Sequence, residues 1–414
     1  MINSYSSTNR RSSSAFGHNR SRRTSRYSSG SWGGGGRARR RNPYRGDFIS
    51  HEMYVSRATD TTTSQENMYE RQMTFSDFKL NPKLLKNISA HNYIHPTKIQ
   101  AQVIAPILEG RDIIGQAATG SGKTAAFLIP IINALLNDPA KKCLVVAPTR
   151  ELVKQIQTEF RLFAQNTFIN DVLIVGGASY STQIRLLKRN HQFIIATPGR
   201  LIDLYKRQNV ILEDFDIIVL DEVDQMLDMG FIHDVKLIIS KLKSTRQSLF
   251  FSATMASKIK EIANSLLRNP VTFELTQQVA VKNVDQNVVK VDSSKGKIET
   301  LHELLIKTEF QRVLVFSRTK RGADEVALAL RKKGHKADAL HGNKSLGQRT
   351  KILSMFKRDE IDILVATDVA SRGIDVPDIS HVINYDEPAT YMDYIHRIGR
   401  TGRIGKKGCA LTFI

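Results

Sequence analysis

The chain has 414 residues, a formal charge of +21, 41% hydrophobic residues and two cysteines. Such a length and apolar content support two or three domains with cores of their own and exclude a wholly disordered chain. Cys143 and Cys409, each in an apolar run, exclude a disulfide-built scaffold; with no stretch near the roughly 18 apolar residues of a membrane span and no apolar leader, a soluble cytoplasmic protein is expected.

In chain order, residues 1–46 come first, with eleven Arg and no Asp, Glu or Lys, just over half of the formal charge excess. Few apolar side chains and the run Gly33 to Gly36 leave nothing to offset ordering entropy, so residues 1–72 are expected to form a disordered tail. Arginines interleaved with Phe16, Tyr27, Trp32 and Tyr44 suit loose nucleic-acid binding, through phosphate contacts and base stacking. A solubilising linker or a transit peptide accounts for the same composition.

From residue 73 to 276, short apolar runs alternate with helix-like segments: Cys143 to Ala147, Val172 to Val175, Phe193 to Ala196, Ile217 to Leu220 and Leu249 to Phe251. Runs apolar at successive positions predict parallel strands buried on both faces. The polar stretch 277–286 reads as a linker. Residues 287–414 then repeat the pattern, with strands expected at Val288 to Val291, Val313 to Phe316, Ile363 to Ala366, His381 to Asn384 and Ala410 to Phe413. The expected fold class is α/β, two tandem parallel-sheet domains behind a basic tail.

The sharpest motif is Ala117-Ala118-Thr119-Gly120-Ser121-Gly122-Lys123-Thr124, set between the apolar Ile113-Ile114 and a helix-like stretch. A Gly-rich turn there aims backbone N–H groups of Ala118 to Gly122 at a triphosphate, while Lys123 reaches the β and γ phosphates and Thr124 helps hold Mg²⁺. A solvated Gly/Ser loop is the bland alternative. Downstream, Ile217 to Leu220 delivers Asp221-Glu222-Val223-Asp224 at a strand's C-terminal end, where open α/β sheets bind ligands. Asp221 is expected to hold Mg²⁺ and Glu222 to orient and deprotonate the attacking water.

These two motifs resemble those of the DEAD-box RNA helicases, and the rest follows in order. Pro148-Thr149-Arg150-Glu151-Leu152, Gly176-Gly177, Thr197-Pro198-Gly199-Arg200 and Ser252-Ala253-Thr254 are similar to first-domain motifs of that family. Ser317-Arg318-Thr319, His341-Gly342, the run Ala366 to Asp375 and His396 to Arg403 are similar to those of the second. The resemblance implies two RecA-like domains facing across a cleft, ATP and Mg²⁺ as cofactors, and RNA as partner. It implies adenine recognition by Gln100 with Phe75 and Tyr93, a ribose contact from Asp375, and arginine fingers at Arg400 and Arg403. RNA-backbone contacts are implied for Pro148, Thr149, Arg150, Gly177, Thr197, Arg200, Arg318, Gly342, Thr367 and Asp368. Domain coupling is implied for Asp224, Ser252, Thr254 and His396.

Three departures stand out. Family members carry Gly where Asn92 stands, a small Ala where Val223 stands, and often Gln where Leu346 stands, which is expected to weaken a contact between the domains. The implied protein is a monomeric ATP-dependent RNA helicase that separates short duplexes, closest in motif style to bacterial members concerned with ribosome assembly and RNA turnover. An ATP-gated RNA clamp or annealing chaperone, and a DNA translocase of the same superfamily, remain open alternatives.

Overall fold

The computed structural model describes residues 49–58, 69–117, 120–275, 283–307, 309–371, 376, 378–402 and 407–414. The first domain begins with α1 (Pro82–Ala90) and α2 (Lys98–Leu108) and continues β1 (Ile113–Gln116), α3 (Lys123–Asn137), β2 (Cys143–Val146), α4 (Arg150–Phe163) and β3 (Asp171–Ile174). It runs on through α5 (Tyr180–Leu187), β4 (Phe193–Ala196), α6 (Pro198–Lys206), β5 (Ile217–Leu220), α7 (Val223–Asp228), α8 (Ile232–Lys241), β6 (Gln247–Ser252), α9 (Ser257–Leu266) and β7 (Val271–Glu274). Its seven strands are parallel and lie in the order β3-β4-β2-β5-β6-β1-β7.

The core follows from the two-residue period of the strands. Along β5, Ile217 and Val219 join one apolar layer and Ile218 and Leu220 the other, and β4 divides the same way between Phe193 and Ile194. A strand covered by helices on both faces has no polar side to spare, which is why these segments are apolar at every position. Each fully buried Leu, Ile or Phe contributes roughly 1.5–3 kcal/mol.

The second domain contains β8 (Val284–Val289), α10 (Lys297–Leu305), β9 (Val313–Phe316), α11 (Lys320–Lys332), β10 (Ala337–Leu340) and α12 (Leu346–Lys357). It ends with β11 (Ile363–Ala366), α13 (Asp368–Ser371), β12 (His381–Asn384), α14 (Tyr391–Ile398) and β13 (Gly408–Phe413). Six parallel strands take the order β10-β11-β9-β12-β13-β8. Among the described residues no helix is long and apolar enough to cross a membrane. Cys143 is buried and Cys409 partly so, both as free thiols.

Two boundaries need correction. β8 starts at Val284, inside the stretch read as the 277–286 linker, because an edge strand alternating buried Val284 and Gln286 with exposed Asp285 and Asn287 looks polar in sequence. The tail was expected to run unbroken to residue 72. Ile49 and Tyr54 instead sit in the second domain's core, 8% and 0% exposed, although residues 1–48 and 59–68 lie outside the described chain. The missed strands β7 and β10 have their own reasons: β7 exposes every second residue and β10 carries Asp338.

Gly115 marks the tightest packing in the first sheet. A Cβ there would lie 2.5 Å from ring atoms of Phe251 on the neighbouring strand. Gly115→Ala is therefore expected to destabilise the protein by about 1–3 kcal/mol through overpacking. Denaturant unfolding checks this, and Phe251→Leu in the same chain should recover part of the loss. Unchanged stability would mean that the ring moves aside freely.

Candidate nucleotide and nucleic-acid site

The nucleotide end of the site is built on the carboxyl edge of the first sheet. Gly122, φ 92°, caps α3 in a left-handed conformation that opens the helix N-terminus toward the loop. A Cβ at Gly122 would approach Gln100 Nε2 to 2.7 Å, so the position needs glycine for space as well as for φ. Gln100 Nε2 donates to the Gly122 carbonyl at 3.1 Å, while its Oε1 accepts from Thr97 N–H at 2.9 Å. The carboxamide thus ties the α2 start to the phosphate loop and keeps one donor and one lone pair for a base edge. Asn92 adopts φ 59°, which Asn tolerates better than other non-glycine residues, so the turn survives the departure there.

Lys123 is 7% exposed and its Nζ donates to the Ala117 carbonyl at 2.7 Å. Opposite it, β5 ends on Asp221 and Glu222, 2% and 5% exposed. Burial pushes the Asp221 carboxyl above its usual range, with Lys123 and the Glu222 backbone N–H pulling it down. Glu222 is also raised, first by burial and then by Asp221, while Lys123 and Arg400 oppose the shift. Its Oε2 is buried without a hydrogen-bond partner, and its φ of 51° holds the residue in the left-handed region between β5 and α7. A buried, unpartnered carboxylate at a strand end is arranged for a proton or a cation, not for solvent. Val223 points into the apolar layer behind the sheet, 0% exposed, so its extra methyls stay out of the site.

Asp224 links this end to β6: its Oδ2 accepts from Ala253 N–H at 3.1 Å and Thr254 N–H at 3.2 Å. Ser252 Oγ donates to the Thr254 carbonyl at 2.8 Å, and the Ser252 carbonyl accepts from Ala117 N–H at 3.1 Å. A chain of hydrogen bonds therefore runs from the acidic strand end through Thr254 to the phosphate loop.

The second domain reaches the same place. One cavity of about 680 Å³ is lined by Lys123, Thr124, Asp221 and Glu222 from the first domain and by Val376 and Arg400 from the second. Arg400 is 4% exposed and its Nε donates to the His396 carbonyl at 3.3 Å. Across this cleft, Arg349 of α12 pairs with Glu151 of α4 at 2.7 Å, both side chains at least nine-tenths buried. Leu346, expected to weaken this seam, packs against the first domain's apolar cluster.

The backbone-contact candidates also converge. Pro148 to Arg150 follow β2, Gly177 follows β3, and Thr197 and Arg200 follow β4, all on the carboxyl edge of adjacent strands. The Arg150 guanidinium lies directly over Gly177, where a Cβ would meet Nη1 at 2.4 Å. Thr149 Oγ1 accepts from Leu152 N–H at 3.2 Å, capping α4. Arg200 donates to the Ala178 carbonyl at 3.0 Å and stacks on Tyr180, 3.8 Å from the ring centroid. In the second domain, Arg318 follows β9, Gly342 follows β10, and Thr367 and Asp368 follow β11.

Some placements differ from expectation. Phe75 and Gln100 are 3% and 2% exposed and neither lines the cavity; Phe75 packs against Phe78 and Tyr93. Tyr93 does line that cavity. Ala118, Thr119, Asp375 and Arg403 lie outside the described residues. Asp368 is held by Arg397, 2.5 and 2.8 Å away, and Arg397 also donates to Asn384 and the Asp386 carbonyl. The resemblance implies no role for Arg397, although it stands inside the His396 to Arg403 motif. The Tyr180 hydroxyl donates to Asp203 and its ring carries Arg200 and Arg207; an isolated Tyr carries no sequence signal for such a cluster.

The DEAD/DEAH box helicase family matches residues 97–262 and the helicase conserved C-terminal domain matches 296–405. The chain is 42% identical over 344 residues to the DEAD-box ATP-dependent RNA helicase CshA of Bacillus subtilis, covering 83% of this chain and 69% of that protein. It is 42% identical over 342 residues to RhpA of Helicobacter pylori, covering 82% and 69%. Among solved structures, Saccharomyces cerevisiae Dbp5 bound to RNA and ADP BeF3 superposes with a TM-score of 0.73 at 32% identity, over 82% of this chain and 89% of that one. Mss116p bound to ssRNA and AMP-PNP gives 0.72 at 30%, over 83% and 75%. Two parallel-sheet domains meeting at a shared phosphate-loop cleft, with the motifs in this order, thus place the chain in the DEAD-box family of ATP-dependent RNA helicases.

Proposed function

We propose that the protein is an RNA-dependent ATPase that opens short RNA duplexes locally, its two domains closing over ATP and a single strand together. The observation that carries this reading is the cavity in which Lys123, Asp221 and Glu222 of one domain meet Arg400 of the other. Neither domain alone holds both the acid pair and the arginine, so turnover depends on their approach. Names of relatives that specify RNA support RNA as the closing ligand.

The residues present suit Mg²⁺-ATP. Asp221 and Thr124 offer hard oxygen donors, and among the described residues no group of three or more His, Cys, Asp or Glu forms a metal cage. That sparse set fits Mg²⁺, which keeps waters and phosphate oxygens as ligands. When bound, Mg²⁺-ATP supplies an electrophilic γ-phosphoryl group. Glu222, left unpaired and buried, orients a water and takes its proton. Lys123 leaves the Ala117 carbonyl for phosphate oxygens, and Arg400 neutralises charge that grows as the bond breaks. Arg403 and Asp375 are proposed as second finger and ribose contact on resemblance. Gln100 reads the adenine edge with its remaining donor and acceptor.

The carboxyl-edge groups of both domains present hydroxyls, backbone N–H groups and arginines to a sugar-phosphate chain, contacts that position a strand without reading its bases. The arginines of residues 1–46 add loose, salt-sensitive affinity. A role in ribosome assembly or RNA turnover, as a cytoplasmic monomer, completes the proposal.

Glu222→Gln is expected to retain ATP and RNA binding while turnover falls at least about a hundredfold, because the amide keeps shape but accepts no proton. Single-turnover ATPase measurements check this; near-parental turnover would remove Glu222 from its role. Arg400→Ala should leave ATP affinity close to parental yet lower RNA-stimulated hydrolysis by about a hundredfold or more. An unchanged maximal rate would show that the second domain does not complete the catalytic set.

A further inference from the structure

Residues 49–58 precede the first domain in sequence but belong to the second in space. A single 3-10 turn, His51–Tyr54, inserts Tyr54 into the second domain's core. Its ring packs edge-on against Tyr394 of α14, centroids 4.8 Å apart, and the Tyr394 hydroxyl donates to Gln286 Oε1 at 2.9 Å. Ser56 then pairs antiparallel with Gln286 of β8: Ser56 N–H donates to the Gln286 carbonyl at 3.1 Å, and Gln286 N–H to the Ser56 carbonyl at 2.7 Å. Ala58 N–H donates to Asp285 Oδ1 at 2.8 Å. β8 is the edge of its sheet, so this short segment covers an edge whose backbone groups would otherwise stand open.

The chain re-enters the first domain at Tyr69, which bridges Thr97, and Glu70, whose N–H donates to the Pro96 carbonyl at 2.9 Å. Thr97 is the residue whose N–H is held by Gln100. The polypeptide therefore passes between the domains twice. It leaves β7, the edge of the first sheet, and arrives at β8; and it leaves the Ser56 to Ala58 pairing on β8 for the turn that holds Gln100. Antiparallel pairing sends both passages out from the same end of β8.

We propose that residues 49–58 act as a strap that makes the connection between the domains two-stranded and so restrains their separation and twist when neither ATP nor RNA is bound. A single connecting segment leaves one domain free to rotate about it; a second attachment at the same edge strand removes much of that freedom. The passage from Ala58 to Tyr69 has a covalent reach of at most roughly 40 Å, and anchoring both its ends raises the effective concentration of one domain at the other. The strap is held by the apolar ring of Tyr54: its hydroxyl is buried with no hydrogen-bond partner. Removing that oxygen should therefore cost nothing, whereas removing the ring should release the strap.

The test uses the full chain with a specific protease site inserted between Ala58 and Tyr69, and fluorophores on the two domains for single-molecule energy transfer without nucleotide or RNA. Cutting leaves every contact of residues 49–58 in place and removes only the attachment. The expected result is a longer mean interdomain distance and a broader distribution after cutting. Uncut Tyr54→Ala should show the same shift, and uncut Tyr54→Phe the parental distribution. An unchanged distribution after cutting would overturn the strap and leave residues 49–58 as a packing element of the second domain, whatever the Tyr54 variants do.

Discussion

The ion pair between Glu151 of α4 and Arg349 of α12 is the constraint on which the two-domain arrangement turns. Burial raises the Glu151 carboxyl above its usual range and lowers the Arg349 guanidinium, in each case against the pull of the partner charge. Taking two charges out of water is costly, and for a buried pair that cost can match or exceed the attraction between them. Such a pair does not drive closure. It makes imprecise closure expensive, since either charge buried alone would cost far more than the pair does. Leu346, one turn earlier on α12, supplies apolar attraction at the same seam.

A seam that penalises misalignment without rewarding closure leaves the decision to ligands. Glu222 and Asp221 are buried and raised, Arg400 faces them from the other domain, and the same cavity joins all three. A bound polyanion and its cation would relieve that electrostatic tension, and a strand lying across both carboxyl edges would bridge the domains from the other side. The hydrogen-bond chain from Asp224 through Thr254 and Ser252 to Ala117 connects the acidic strand end to the start of the Gly-rich loop. Chemistry and closure are thus parts of one arrangement.

What the sequence made legible follows from which forces act locally. Phe193 to Ala196 and Ile217 to Leu220 stand where their apolar runs put them, because burial on both faces dictates every residue of such strands. β8 was read as linker because an edge strand needs only one buried face, and Tyr54 was lost in a polar tail because its partner Tyr394 lies 340 residues on. The phosphate loop and the acidic strand end were plain, since backbone geometry and charge fix residue types at fixed spacing. Phe75 packs against Phe78 and Tyr93, a placement its sequence position does not reveal, because an aromatic beside a ligand motif and an aromatic in a core look alike until packing is known. Arg397 was overlooked for the converse reason: its role is to hold Asp368, a contact between residues of two different motifs.

The central claim is that precise closure of the two domains couples nucleotide to RNA. It is tested most directly by a double-mutant cycle on the cross-domain pair, with Glu151→Gln, Arg349→Met and the two combined. The quantity to measure is the factor by which a nonhydrolysable ATP analogue tightens RNA binding. Each single change should reduce that factor by about tenfold, because it leaves one charge buried without its partner, and the double change should restore much of the loss. Parental coupling in both single variants, or losses that simply add, would contradict the account.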